Sequence, residues 1–147
     1  MKSRFENEIG DVWSALTDPQ RLARWYGKVG GDLRVGGVFT SYVRSSEWNG
    51  QGRVNECVSR QRLEVTMWEE EGKERNLAAE LIDDASATIL MLEVRGLPID
   101  LVWAYGAGWH VHLEDLATHL SGGESLNPPE RWDELEPLYR AMTVVPL

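Results

Sequence analysis

At 147 residues the chain suits one folded domain, long enough to bury roughly two-thirds of the surface that its unfolded form exposes. A formal net charge of −9 without a cluster of Lys and Arg argues against nucleic acid or an acidic membrane face as partner, and no apolar run approaches the ~20 residues that span a bilayer. Cys57 is the only cysteine, so no intramolecular disulfide forms, and with no signal-peptide pattern at Met-Lys-Ser-Arg the expected compartment is the reducing cytoplasm.

Ser3 to Ile9 alternates, with Phe5, Asn7 and Ile9 on one side, which predicts a short strand; a helix start is the rival reading. Asp11 to Asp18 has helix spacing, with Val12, Trp13 and Leu16 on one stripe, and ends there because the residue before Pro19 avoids the helical region. Pro19 opens a second short helix with Leu22, Trp25 and Tyr26 on one face and a stop at Gly27. From Gly30 the texture turns glycine-punctuated and β-branched. "GGDLRVGGVFTSYVR", "GQGRVNECVS", "QRLEVTMWEEEG", "ERNLAAELIDD" and "SATILMLEVRG" read as consecutive antiparallel strands. Asn49-Gly50 is expected at a hairpin tip, with Trp48 bracing the turn rather than guarding a cavity mouth.

Pro98 to Leu120, followed by Gly122-Gly123, carries the proline-start, glycine-stop pattern of a helix about 33 Å long. The tail is proline-punctuated, with "ERWDELEPLYRAM" as a short helix. Grouped helices and an antiparallel meander make the expected class α+β, the long helix covering the apolar face of the sheet. Residues 1–122 form the expected domain and 123–147 an extension that packs on it or on a partner.

Counted at 100° per residue, the long helix turns Val102, Tyr105, Gly106, Trp109, Leu113, Leu116 and Leu120 inward. Gly106 is then a notch beside Trp109, and Gly108 falls on a flank. The three histidines scatter: His112 and His119 lie to one side of Trp109 and His110 to the other, so they do not converge on one ion. His112, Asp115 and His119 share a flank at i, i+3 and i+7, read here as a solvated or hydrogen-bonded surface in preference to a metal site. His110 and Glu114 make an i, i+4 surface pair. No nucleophile elbow, GxGxxG or P-loop occurs, so no catalytic residue, metal or cofactor is assigned.

"VWSALTDPQRLARWYG", "GDLRVGGVF", "GQGRVNECVSRQRLEVTMW", "ATILMLEVRGLP" and "AGWHVHLEDLATHLSG" resemble, in order and spacing, the START-like SRPBCC superfamily. The likeness is to its bacterial AHSA-type branch, named for the activator of the heat-shock-protein-ninety ATPase. The resemblance implies a helix-grip fold: an antiparallel sheet of six to seven strands wrapped around a long C-terminal helix, with two short helices near the N-terminus. It also implies an apolar cavity, and a role in binding hydrophobic ligands, in polyketide cyclase or aromatase chemistry, or as a co-chaperone.

On that likeness Trp109 and Leu113 belong to the grip helix, Trp25 and Tyr26 to the lid helix, and Val54 and Met67 to the sheet. With Phe39, Leu92, Gly106 and His110 they form the candidate ligand-binding set, Tyr26 and His110 fixing orientation. The leading expectation is a small lipid-like or polyketide-like ligand. The alternatives are an enzyme using His110 or His112 with a pKa near neutral, and a module that docks a chaperone or regulator; a homodimer stays open. Two departures from the family stand out: only Gly10-Asp11 separates Ile9 from Val12, and Ser59 stands where proline is common. The first leaves a sheet edge in question, which the β-prone 142–147 would cover.

Overall fold

A computed structural model describes residues 1–124 and 126–142. Strand β1 (Lys2–Phe5) is followed by helices α1 (Ile9–Thr17) and α2 (Pro19–Trp25). Strands β2 (Gly27–Gly31), β3 (Val38–Val43), β4 (Trp48–Val58), β5 (Arg62–Trp68), β6 (Arg75–Asp84) and β7 (Ala87–Arg95) follow in a meander. A short 3-10 turn (Ile99–Leu101) leads into α3 (Val102–Leu120), and α4 (Glu130–Arg140) closes the described chain. The seven strands form one antiparallel sheet in the order β1-β7-β6-β5-β4-β3-β2. Because β1 and β2 are the opposite edges, α1 and α2 carry the chain across the sheet, and α3 lies along the same face. This is the α+β, helix-grip class expected from the sequence. No helix among the described residues is long and apolar enough to cross a membrane.

Local chemistry explains the boundaries. Asp18 caps α2 by accepting the Gln20 amide at 2.9 Å, and Pro19 stands in the first turn, where its missing N–H costs nothing. The first strand stops at Phe5, short of the predicted Ile9, because Asn7 is used elsewhere. Its side chain donates to Leu120 O at 2.9 Å and to Asp11 Oδ2 at 3.0 Å, and its carbonyl accepts from Thr88 Oγ1 at 2.7 Å. One asparagine thus ties the end of the strand to the first helix and to the last turn of α3.

Two strand expectations are corrected. Strand β2 begins at Gly27, directly after α2, instead of at Gly30. Asn49-Gly50 is not a hairpin tip: both residues are paired within β4, opposite Tyr42 and Ser41, and the turn lies at 44–47, where Glu47 takes φ 54°. Glycine is needed at 50 for a different reason. A Cβ there would stand 2.1 Å from the Trp48 ring and 2.7 Å from Trp68 O, so its absence lets the indole lie across the strand.

Leu90 and Leu116, from β7 and α3, are fully buried with Val12 of α1 at the centre of the main core. A separate small core joins α3 to α4: Leu135, 2% exposed, packs on Ala107 and Val111, with Trp132 and Tyr139 beside it. The long helix is therefore covered on two sides. The expected covering of a sheet edge by 142–147 falls, apart from the exposed Met142, outside the described residues.

Candidate functional site

Between α3 and the sheet the side chains do not close. Two adjoining spaces remain, an inner one of about 160 Å3 and an outer one of about 650 Å3. Trp25, Tyr26, Met67, Leu77 and Trp109 line both. The inner space is bounded by Phe39, Val54, Val65, Leu92 and Leu113 among other apolar groups. Trp48, Tyr105 and Trp132 add rings to the outer one, together with Arg44, Arg75, His112, Asp115 and the segment from Leu126 to Pro129.

The aromatic wall is a connected stack. The rings of Tyr26 and Trp109 lie nearly parallel with centroids 6.3 Å apart, Trp25 tilts against Tyr26 at 5.6 Å, and His112 sits 5.4 Å from Tyr26 and 5.1 Å from Trp109. Trp25 Nε1 donates to Ala15 O at 3.0 Å, which fixes α2 on α1. The Tyr26 hydroxyl meets Ser41 Oγ only at 3.5 Å. Burial raises its pKa against the opposing influence of that bond and of Arg75, so the hydroxyl stays protonated. Burial also pushes His112 down to about 4, which makes it a neutral imidazole at ordinary pH, and its Nδ1 is buried without a partner among the described residues. Trp48 Nε1 is orphaned in the same way.

Arg75 reaches into the outer space with its guanidinium 4.7 Å from the Trp48 ring centroid and 5.1 Å from that of Tyr105. Among the described residues no carboxylate lies within ion-pair distance of it. Asp115, only 2% exposed, faces the same space but is engaged, accepting the Asn127 amide at 2.7 Å. Burial raises its carboxyl pKa, and the Asn127 bonds oppose that rise. At the adjacent position Arg131 grips Glu114 with two bonds of 2.9 Å, holding the Glu114 carboxyl below its usual range. These two carboxylates pin the chain after α3 along the cavity.

The structure brings together eight of the ten predicted residues and sends two elsewhere. Trp25, Tyr26, Met67 and Trp109 line both spaces, and Phe39, Val54, Leu92 and Leu113 the inner one. Gly106 and His110 are corrected, because both face α4. A Cβ at Gly106 would lie 2.6 Å from Tyr139 Cδ1, and His110 Nδ1 shares a hydrogen bond with the Tyr139 hydroxyl at 2.9 Å. The glycine that opens the cavity is Gly108, read from the sequence as a flank; a Cβ there meets nothing within 4 Å. His112 is likewise no surface residue, and its pKa is far from the near-neutral value an acid–base role was expected to use. His119 belongs to another contact, receiving the Arg21 Nε–H at 3.1 Å. No cluster of metal-ligating side chains occurs among the described residues.

Arg75, Trp48 and the segment after α3 were missed as lining. Trp48 stands at the cavity, the alternative set aside in favour of a brace. The sequence signal for the second helix contact was slight: only the small pair Gly106-Ala107 meets α4, while Ala104 and Gly108 line the outer space.

A family model described as Activator of Hsp90 ATPase homolog 1-like protein matches residues 8–121. The crystal structure of CalU16 from Micromonospora echinospora is similar at a TM-score of 0.81 and 27% identity, over 95% of this chain and 84% of that one. DynU16, a protein in the dynemicin biosynthetic locus, is similar at 0.76 and 26%, over 86% of this chain and 48% of that one. Aha1 from Colwellia psychrerythraea, a dimer in solution, shares the fold at 0.74 with 14% identity, over 85% of this chain and 96% of that one. No curated protein matches the sequence.

Proposed function

Because the chain belongs to the family of activator of Hsp90 ATPase homolog 1-like proteins, we propose that it is a binding protein for a small, ring-bearing apolar molecule held between α3 and the sheet. The observation that carries this reading is the outer space itself. At about 650 Å3 it has the volume of a small-molecule site, and six aromatic side chains, those of Trp25, Tyr26, Trp48, Tyr105, Trp109 and Trp132, supply its walls. Flat rings on several sides favour a flat guest, and each Å2 of apolar surface that the guest withdraws from water contributes roughly 25 cal/mol.

Binding is favoured over cyclase or aromatase chemistry by the histidines. His110 stands outside the cavity, and His112, with its pKa near 4, accepts a proton too weakly to return one at neutral pH. The test fills the space without disturbing a contact. Gly108→Trp places an indole where a Cβ meets no neighbour, and replacing a mid-helix glycine raises helix propensity by up to about 0.5 kcal/mol. The neutral dye Nile red should bind the natural protein at one site and lose that site in Gly108→Trp, with no fall in thermal midpoint. Equal binding to both proteins overturns the reading.

A further inference from the structure

The outer space is apolar in most of its wall and positively charged at one point. Twelve arginines differ in what holds them: Arg4, Arg21, Arg34, Arg62, Arg95, Arg131 and Arg140 pair with carboxylates. Of the others, only Arg44 and Arg75 line the cavity. Arg44 is committed, donating through Nη2 to Ala23 O. Arg75 has no such tie among the described residues. It lies half-buried against two aromatic faces, which orient a guanidinium through its flat side and leave its in-plane N–H groups to find acceptors.

The charges in the cavity are thus sorted. Asp115 is engaged by the Asn127 amide, while Arg75 and Tyr26 line the same outer space. A donor pair remains that nothing in the described chain fully uses: the Arg75 guanidinium and the Tyr26 hydroxyl, whose bond to Ser41 is a long 3.5 Å. Resting on the reading of the cavity as a ligand site, we infer that its guest is an aromatic acid whose carboxylate is held by Arg75, with Tyr26 as second donor. A planar fork matches the two carboxylate oxygens, and in an apolar enclosure such a charge-assisted pair discriminates sharply against an uncharged analogue.

The test uses 1-pyrenebutyric acid and its methyl ester, which share one ring system and differ in the charge. The natural protein should bind the acid roughly tenfold or more tighter than the ester, the scale of one charge-assisted hydrogen bond. Arg75→Gln should abolish the ratio and Arg75→Lys should keep part of it, each variant first shown to unfold at an unchanged thermal midpoint. Equal affinities for acid and ester in the natural protein, a ratio that survives Arg75→Gln, or failure of the acid to bind where Nile red binds would each overturn the carboxylate assignment while leaving the cavity reading intact. Failure of Nile red and both pyrene probes overturns both.

Discussion

The two covered faces of α3 use the same residue types to opposite ends. Toward α4, Gly106 makes room for the Tyr139 ring and His110 bonds to the Tyr139 hydroxyl, so the space beside this glycine is filled and this histidine has a partner. Two residues further along, toward the sheet, Gly108 faces open space and His112 keeps a buried nitrogen without a partner among the described residues. The identity of a residue therefore says little about its role. What separates a packed face from a receiving one is whether the space beside a glycine and the nitrogen of a histidine are already taken.

The largest effect should come from forcing the packed face open. Gly106→Val places atoms against the Tyr139 ring and should cost up to about 3 kcal/mol, as overpacking does, read as a lower urea midpoint. An unchanged midpoint would show that α4 yields freely and that the contrast between the faces is small.

A second experiment addresses the histidine of the receiving face. His112 is neutral in the folded protein, its pKa moved from the ordinary 6.5 to about 4, whereas the unfolded chain takes up the proton. Its folded pKa is depressed, so stability present above the unfolded value is lost as pH falls; between pH 7 and pH 5 the loss from this group is about 2 kcal/mol. His119, also lowered by burial, adds in the same direction, while Asp115, raised by burial, works in the opposite sense. His112→Phe keeps a ring against Tyr26 and Trp109, so the difference between natural and variant urea curves at the two pH values isolates the group. A variant that loses as much stability as the natural protein would show that His112 is not held neutral.

The smallest effect returns to the packed face. Tyr139→Phe removes only the hydroxyl that His110 uses and should cost about 1 kcal/mol, the net worth of one hydrogen bond, with Nile red binding unaltered. A loss of dye binding would mean that the two faces are coupled through the helix.

Element order was legible in the sequence because helix and strand periods, Pro19 and Gly122-Gly123 are local signals. Asn49-Gly50 misled because the same dipeptide that makes a tight turn also lets a tryptophan cross a strand, and only tertiary structure decides between them. The inward stripe of α3 was read on the assumption of one apolar face. That assumption placed Trp109 and Leu113 correctly and Gly106 and His110 wrongly, because the helix that covers the second face lies in a proline-punctuated tail whose docking no period announces. Arg75 was invisible for a related reason: a lone arginine at the start of a strand resembles any surface arginine until the rings of Trp48 and Tyr105 are seen around it.

The stretch from Leu126 to Trp132 follows the last element of the grip, yet it furnishes part of the outer wall and is fastened there by Asn127 and Arg131. One part of the wall is thus written separately from the sheet and helices that supply the rest. Substitutions in a short surface segment therefore reshape the outer space while the sheet and its gripped helix stay as they are.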